Sequence, residues 1–294
     1  MTVFFADLDR TLIYSTDALG LREPDHEELP LVCVETYRGQ PASFVTEVAA
    51  KGIGRLLQDD ALVPVTTRSV EQYRRVLLPG PVPGLALVAN GGLLLRDGEL
   101  DETYRKETAS RLDGSTPLNV VFAHLQAVAD PRFSINLRTV EELFCYAVVD
   151  TDAVPPGWTV ELADYAAGVG WQVSDQGRKV YLLPAELSKG KAVRRIADEL
   201  SLDGFIAAGD TSTDAPMLAQ ASKAMIPRHA SLAQHVDEFG AETTQSTGVV
   251  AGEELVAWAE AHLLQDRTDS GPVRVAEVGN RPSGATDWRA GTAR

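Results

Sequence analysis

The sequence predicts an α/β fold: an open sheet flanked by helices, with a smaller α+β unit inserted into it. Three observations carry that prediction. Short apolar runs at residues 3–6, 62–65 and 204–208 read as buried strands. Each leads directly into polar groups, Asp7 and Asp9 after the first, Thr66 and Thr67 after the second, Gly209 and Asp210 after the third. From about Lys106 the pattern changes to helix, two strands, helix, two strands. Open α/β sheets hold ligands in the crevice beyond the carboxyl ends of their strands, so these polar groups fall where chemistry is expected.

The first run is Val3-Phe4-Phe5-Ala6, followed by Asp7-Leu8-Asp9-Arg10-Thr11. Residues two apart in an extended segment point to the same side, so Asp7 and Asp9 can face one metal or one substrate while Leu8 turns to the core. Taken alone, the pair fits a solvated turn after an edge strand equally well. Residues 12–26 are polar and turn-rich, 31–37 read as a strand, and 42–57 as a helix. The second run ends in Thr66-Thr67-Arg68-Ser69 before a helix at 70–77. Hydroxyls and free N–H groups at such a junction contact phosphate; capping by Thr67 or Ser69 is the alternative.

Residues 85–89 form a further short strand, and 93–96 with 99–104 read as a hairpin turning at Asp97-Gly98. The inserted unit follows: a helix at 117–128, strands at 133–137 and 142–149, a helix at 159–167, and strands at 170–174 and 179–183. Lys189 and Lys191 then open a helix running to Leu200. A lysine in the first turn opposes the helix dipole, so its position asks for a phosphate or carboxylates facing it, or for solvent. After the third run, Asp210 and Asp214 lie four apart, with Pro216 in the first turn of the next helix. Asp214 can serve as an N-cap, whereas Asp210 precedes the helix. Residues 224–226 read as the last core strand, 253–264 as a closing helix, and 265–294, rich in Gly, Pro, Ser, Asp and Arg, as a disordered tail.

In this order and spacing, the four polar segments resemble the motifs of the haloacid dehalogenase-like (HAD) superfamily of phosphohydrolases. Asp7-Leu8-Asp9-Arg10-Thr11 is similar to its first motif, Thr66 to its second, Lys189 to its third, and Gly209-Asp210 with Asp214 to its fourth. Val65-Thr66-Thr67-Arg68, Ala89-Asn90-Gly91-Gly92 and Gly209-Asp210-Thr211-Ser212-Thr213-Asp214 further resemble signatures of the Cof-like, sucrose-phosphate phosphatase-like branch. Three positions depart from it: Arg10 and Thr67 stand where glycine is usual, and Thr213 replaces asparagine.

The resemblance implies a Rossmann-like core made of residues 1–104 and 184–264, a flap within 12–26, and an inserted cap of αββαββ pattern at 105–183 that closes over the crevice. It further implies an Mg²⁺-dependent phosphatase acting on a small phosphorylated metabolite, a sugar or glycerate phosphate by analogy with that branch. Asp7 would attack phosphorus and form an aspartyl-phosphate, and Asp9 would be the acid and base. Thr66 and Lys189 would hold the phosphate, with Thr67, Arg68, Arg10 and Asn90 as further substrate contacts. Asp7 and Asp210 would bind the metal directly, Asp9 through its backbone carbonyl, and Asp214 directly or through water. A phosphotransferase or phosphomutase, or a non-catalytic regulatory binding protein, are the alternatives.

Four aspartates in one crevice raise one another's pKa unless a cation is among them, and an all-oxygen site beside a phosphate suits Mg²⁺. Arg138, Arg178 and Lys179 in the inserted unit are candidates for a second anionic group on the substrate, or are solvated charges. His124 receives no role. The chain has 294 residues, enough for two domains, with 44% hydrophobic residues and a mean hydropathy of −0.09. A net charge of −15 argues against a nucleic-acid partner, which needs a basic face. No run approaches the ~18 apolar residues of a membrane span. Cys33 and Cys145 match no metal or redox spacing and read as buried thiols. Without a signal-peptide pattern, a cytoplasmic monomer or homodimer is expected.

Overall fold

A computed structural model describes residues 2–21 and 29–269. In chain order its elements are β1 (Phe4–Ala6), β2 (Tyr14–Ser15), β3 (Leu31–Tyr37), β4 (Gln40–Thr46), α1 (Glu47–Gln58), β5 (Leu62–Pro64), α2 (Val70–Arg74), β6 (Leu85–Val88), β7 (Leu93–Arg96) and β8 (Glu99–Leu100). They continue with α3 (Glu102–Leu112), α4 (Leu118–Val128), β9 (Ser134–Val140), β10 (Phe144–Val149), α5 (Trp158–Gly168), β11 (Trp171–Gln176) and β12 (Lys179–Pro184). The last are α6 (Lys189–Glu199), β13 (Ile206–Ala208), α7 (Ala215–Leu218), β14 (Lys223–Ile226), α8 (Val236–Phe239), β15 (Glu242–Thr243) and α9 (Val249–Asp269).

The central sheet is parallel, in the order β15-β14-β13-β1-β5. β1 lies inside it, with Phe4 opposite both Ile206 and Leu62. A strand buried on both faces carries apolar residues throughout, and Phe4, Phe5 and Ala6 are fully buried. Phe4 packs with Ile53, Leu56 and Leu255 on one face of the sheet. Phe5 packs with Val193, Ile196 and Phe205 on the other. Helices α1 and α9 therefore cover one face and α6 the other, which fixes the strand ends between them.

The inserted segment forms a four-stranded antiparallel sheet in the order β11-β12-β10-β9. One face carries Cys145, Ala147, Val180 and Leu182, packed against Val121 and Leu125 of α4 and Leu162 and Ala166 of α5. The opposite face carries Ser174, Tyr181, Tyr146 and Arg138 in register, and it is polar because it turns towards the crevice.

Several boundaries differ from the sequence reading. Residues 42–46 belong to β4, paired with β2 and β3, and the helix begins only at Glu47 because the Thr46 side chain caps it by accepting from Ala49 N at 3.0 Å. The helix expected over 70–77 stops at Arg74, since Leu77 N donates to Val34 O and Val76 bridges to Glu35. The second arm of the hairpin shortens to two residues, because Asp101 accepts from Thr103 N and Tyr104 N and starts α3. Residues 224–226 are not the last strand of the sheet, as β15 pairs with β14 beyond them. The closing helix runs on to Asp269, so residues 265–269 are helical; the rest of the expected tail, and residues 22–26 of the expected flap, lie outside the described residues. Cys33 is exposed and only Cys145 is buried. No helix among the described residues is long and apolar enough to cross a membrane.

Candidate active site

Parallel pairing aligns the carboxyl ends of β1, β5 and β13, and the backbone continues their ladder one step further. Asp7 N donates to Ala208 O at 3.0 Å and Val65 N to Ala6 O at 2.8 Å. Asp7, Thr66 and Asp210 are thereby carried to one edge. Gly209 is required there, because a Cβ at that position would overlap the side chain of Asp214. Asp214 closes the loop by accepting at Oδ2 from the backbone N–H groups of Asp210 and Thr211 at 3.1 and 3.0 Å, and from the Thr211 hydroxyl at 3.0 Å.

Lys189, at the start of α6, is 1% exposed and reaches Asp7 Oδ1 at 2.6 Å and Asp214 Oδ1 at 2.5 Å. Gly190 lets the helix approach this closely, since a Cβ there would overlap Pro216 O. Burial disfavours the lysine's charge, but Asp214 and Asp7 outweigh it and raise its pKa. At Asp7 burial prevails instead. Burial, reinforced by Asp214 and Asp9 and opposed by Lys189, pushes its carboxyl up to about 7. Burial and the charges of Asp7 and Asp214 also push Asp210 well above the usual carboxylate range.

Carboxylate oxygens of Asp7, Asp210 and Asp214 lie within 4.8 Å of one another. One buried ammonium cannot neutralise three buried carboxylates, and Arg10 reaches Asp210 only at 3.5 Å from a half-exposed position. The donor set is all oxygen and carries excess negative charge, which fits a hard divalent cation. Asp214 has both oxygens engaged, so Asp7 and Asp210 are the freer ligands.

Asp9 does not join this cluster through its side chain. Its carboxylate is half-exposed at the crevice mouth and is gripped by Arg68, Nε to Oδ2 at 2.7 Å and Nη2 to Oδ1 at 2.8 Å. Burial in the crevice works against ionisation, but the Arg68 bonds and charge prevail and hold the carboxyl below its usual range. Arg68 in turn binds Glu35, a residue the sequence reading passed over. An acid inside the apolar and β-branched run Leu31–Tyr37 was the available signal.

Thr66 is buried; its hydroxyl accepts from Arg68 N at 3.2 Å and its carbonyl from Asn90 N at 2.9 Å. Asn90, at a left-handed φ of 58°, is buried and donates its side-chain amide to Leu187 O at 3.1 Å, which ties the β6 turn to the start of α6. Arg10 also has a left-handed φ, 61°, where the resembling motif has glycine. His229 holds that turn by donating Nε2–H to Arg10 O at 3.0 Å, its Nδ1 accepting from Gly248 N at 3.2 Å.

A cavity of about 470 Å³ opens over Asp7, Asp9, Lys189 and Asp210, with Arg178 and Lys179 of the inserted unit on its far wall. Ser174 and Ser212 hydroxyls meet at 2.8 Å, Gln176 Nε2 donates to Thr213 Oγ1 at 2.8 Å, and Val70 N donates to Glu141 Oε1 at 2.8 Å. The inserted sheet is thus seated on the strand ends. Arg138 is exposed on β9 and does not line this cavity; His124 stacks on Tyr165.

No protein-family model and no curated protein matches the sequence. Solved structures do match. A sucrose-phosphatase from Synechocystis, in complex with sucrose and phosphate, is similar at TM-score 0.59 and 19% identity over 88% of this chain and 98% of that one. A subclass IIB sugar phosphatase of the HAD superfamily is similar at TM-score 0.56 and 10% identity, over 90% of this chain and 99% of that one. A haloacid dehalogenase-like hydrolase from Bacteroides thetaiotaomicron is similar at TM-score 0.53 and 14% identity, over 89% and 99%. The chain has the fold of the HAD phosphatases, a parallel sheet flanked by helices with an added antiparallel sheet.

Proposed function

We propose that this protein is an Mg²⁺-dependent phosphohydrolase of the HAD type, cleaving a small phosphorylated metabolite, a sugar or glycerate phosphate monoester. The observation that carries this reading is the convergence of Asp7, Asp210, Asp214 and Lys189 at the ends of adjacent strands, with Asp9 at the mouth of the same cavity. The sugar phosphatases among the structural neighbours support the substrate class. Residues 105–183 act as the cap, excluding water and reading the leaving group.

The steps follow from the residue types. An Asp7 oxygen attacks phosphorus, forming a new P–O bond as the bond to the leaving oxygen breaks. Asp9 delivers its proton to that leaving oxygen, then takes one from the water that hydrolyses the aspartyl-phosphate. Arg68 opposes protonation of Asp9, and a bound phosphate restores it by adding negative charge alongside. Lys189 and Thr66 hold equatorial oxygens, since phosphoryl transfer is catalysed chiefly by positioning and charge stabilisation. Asp7 and Asp210, with the Asp9 carbonyl, would hold the magnesium ion, and Asp214 supports them by fixing Lys189 and the 210–211 backbone. When bound there, the ion would supply positive charge that favours an ionised Asp7 and offsets the phosphate.

Arg10, Thr67 and Lys179 line the cavity and are the substrate contacts in this reading; Arg68 and Asn90 position other groups. The two free thiols accord with a cytoplasmic location. Phosphate release across a panel of phosphorylated metabolites, with and without Mg²⁺, tests the proposal. Mg²⁺-dependent release from a sugar or glycerate phosphate is expected. Release that is indifferent to chelation, or no release from any ester, contradicts it.

A further inference from the structure

Glu35 is 5% exposed, and four donor atoms from three side chains converge on it. Arg68 Nη1 and Nη2 donate to its two oxygens at 2.9 Å each, the Ser43 hydroxyl at 2.7 Å and Arg75 Nε at 3.3 Å. Arg68 spends its remaining donors on Asp9, through Nε and Nη2, and on Gln72 O at 3.3 Å. All five N–H bonds of the guanidinium are thereby assigned, and its rigid plane links one buried and one half-exposed carboxylate. Glu35 is aimed inward by the backbone: the β3–β4 register shifts on either side of it, and bulges redirect side chains in this way.

We infer that Glu35 is a positioning residue for the reaction: it anchors Arg68, and Arg68 fixes the Asp9 carboxylate towards the leaving-group oxygen. The inference rests on the phosphohydrolase reading above. An arginine bound to Asp9 alone, at the half-exposed crevice mouth, would share that carboxylate's freedom. Tied to Glu35, which is held in turn by Ser43 and Arg75, it becomes a fixed strut. Removing the anchor leaves Asp7, Lys189 and Asp210 with their partners, because none of them bonds to Glu35 or Arg68.

The test compares two esters of matched shape. Phenyl phosphate needs its leaving oxygen protonated, whereas p-nitrophenyl phosphate leaves as a stable anion. Glu35→Gln places an amide against the Arg68 donors and breaks the fork. It is expected to lower kcat/KM for phenyl phosphate by roughly 10-fold or more, and for p-nitrophenyl phosphate by no more than about 3-fold, within the range of acid catalysis. The ratio kcat/KM is read because it covers the steps up to the first phosphoryl transfer. Equal losses on both esters, or no loss on either, in a variant with an unchanged thermal midpoint overturn the inference. Should Glu35→Gln fail to fold, Arg68→Lys, which keeps the charge and loses the fork, must give the same split; its absence overturns the inference equally. Asp9→Asn separates the two levels. If the unaltered protein turns over neither ester, the phosphohydrolase reading fails; if it does and Asp9→Asn shows no leaving-group dependence, the acid role of Asp9 and the inference built on it fail; if Asp9→Asn shows it and Glu35→Gln does not, only the role of Glu35 fails.

Discussion

In the proposed reaction Asp7 is the residue on which the chemistry turns, and its surroundings suit a carboxylate rather than a hydroxyl at that position. Lys189 contacts it at 2.6 Å and opposes the protonation that burial favours. Asp7→Asn preserves shape and removes the proposed nucleophile, so phosphate release is expected to fall by roughly 10³-fold or more while the thermal midpoint is maintained or rises, because one of three crowded carboxylates is gone. Steady-state turnover and a melting curve check both halves. His229 provides a pH signature elsewhere. Burial lowers its pKa from 6.5, so the folded state prefers the neutral ring and its contribution is fully present above that value. As pH falls below about 6.5 the unfolded chain takes up a proton that the folded chain resists, and stability declines. Melting of the protein against His229→Asn from pH 7.5 to 5 checks this, with the variant losing less.

At the scale of elements, Thr46 shows how one residue ends a strand and starts a helix. Its hydroxyl oxygen caps α1 at Ala49 N and its proton goes to Glu253 Oε2 of α9 at 2.9 Å. Thr46→Ala is expected to cost about 1 kcal/mol, a fall of roughly 2–4 °C in midpoint for a chain of this size. The same position shows what the sequence left hidden. Residues 42–46 have helical company, and only pairing with β2 and β3 makes them a strand. β15, two residues long, carries no periodicity to read. By contrast β1, β5 and β13 were legible because strands buried on both faces are apolar throughout. The αββαββ order of the inserted segment was legible too, from alternation and turn residues. The inward placement of Glu35 was not, since it arises from a register shift that no local pattern announces.

Across the whole molecule, two sheets meet at one crevice, and the acidic cluster there is a cost that a bound cation would relieve. Mg²⁺ is therefore expected to stabilise the protein by about 2.7 kcal/mol at a concentration 100 times its dissociation constant, and Asp210→Asn to reduce that gain. Thermal melts with and without Mg²⁺ measure it; an unchanged midpoint at millimolar Mg²⁺ contradicts the metal assignment. The polar residues at the three strand ends could be placed in one crevice from their order alone, because parallel strands share an edge. The orientation of Asp9 away from the carboxylate cluster and onto Arg68 needed three dimensions. The central claim is that Asp7 carries the phosphoryl group. Protein quenched in acid during turnover of a substrate ester, digested, and mapped by mass spectrometry tests it most directly. A phosphoryl group on the peptide holding Asp7, absent from Asp7→Asn, is predicted; Mg²⁺-dependent turnover by Asp7→Asn, with no phosphoryl group on that peptide, would contradict the account.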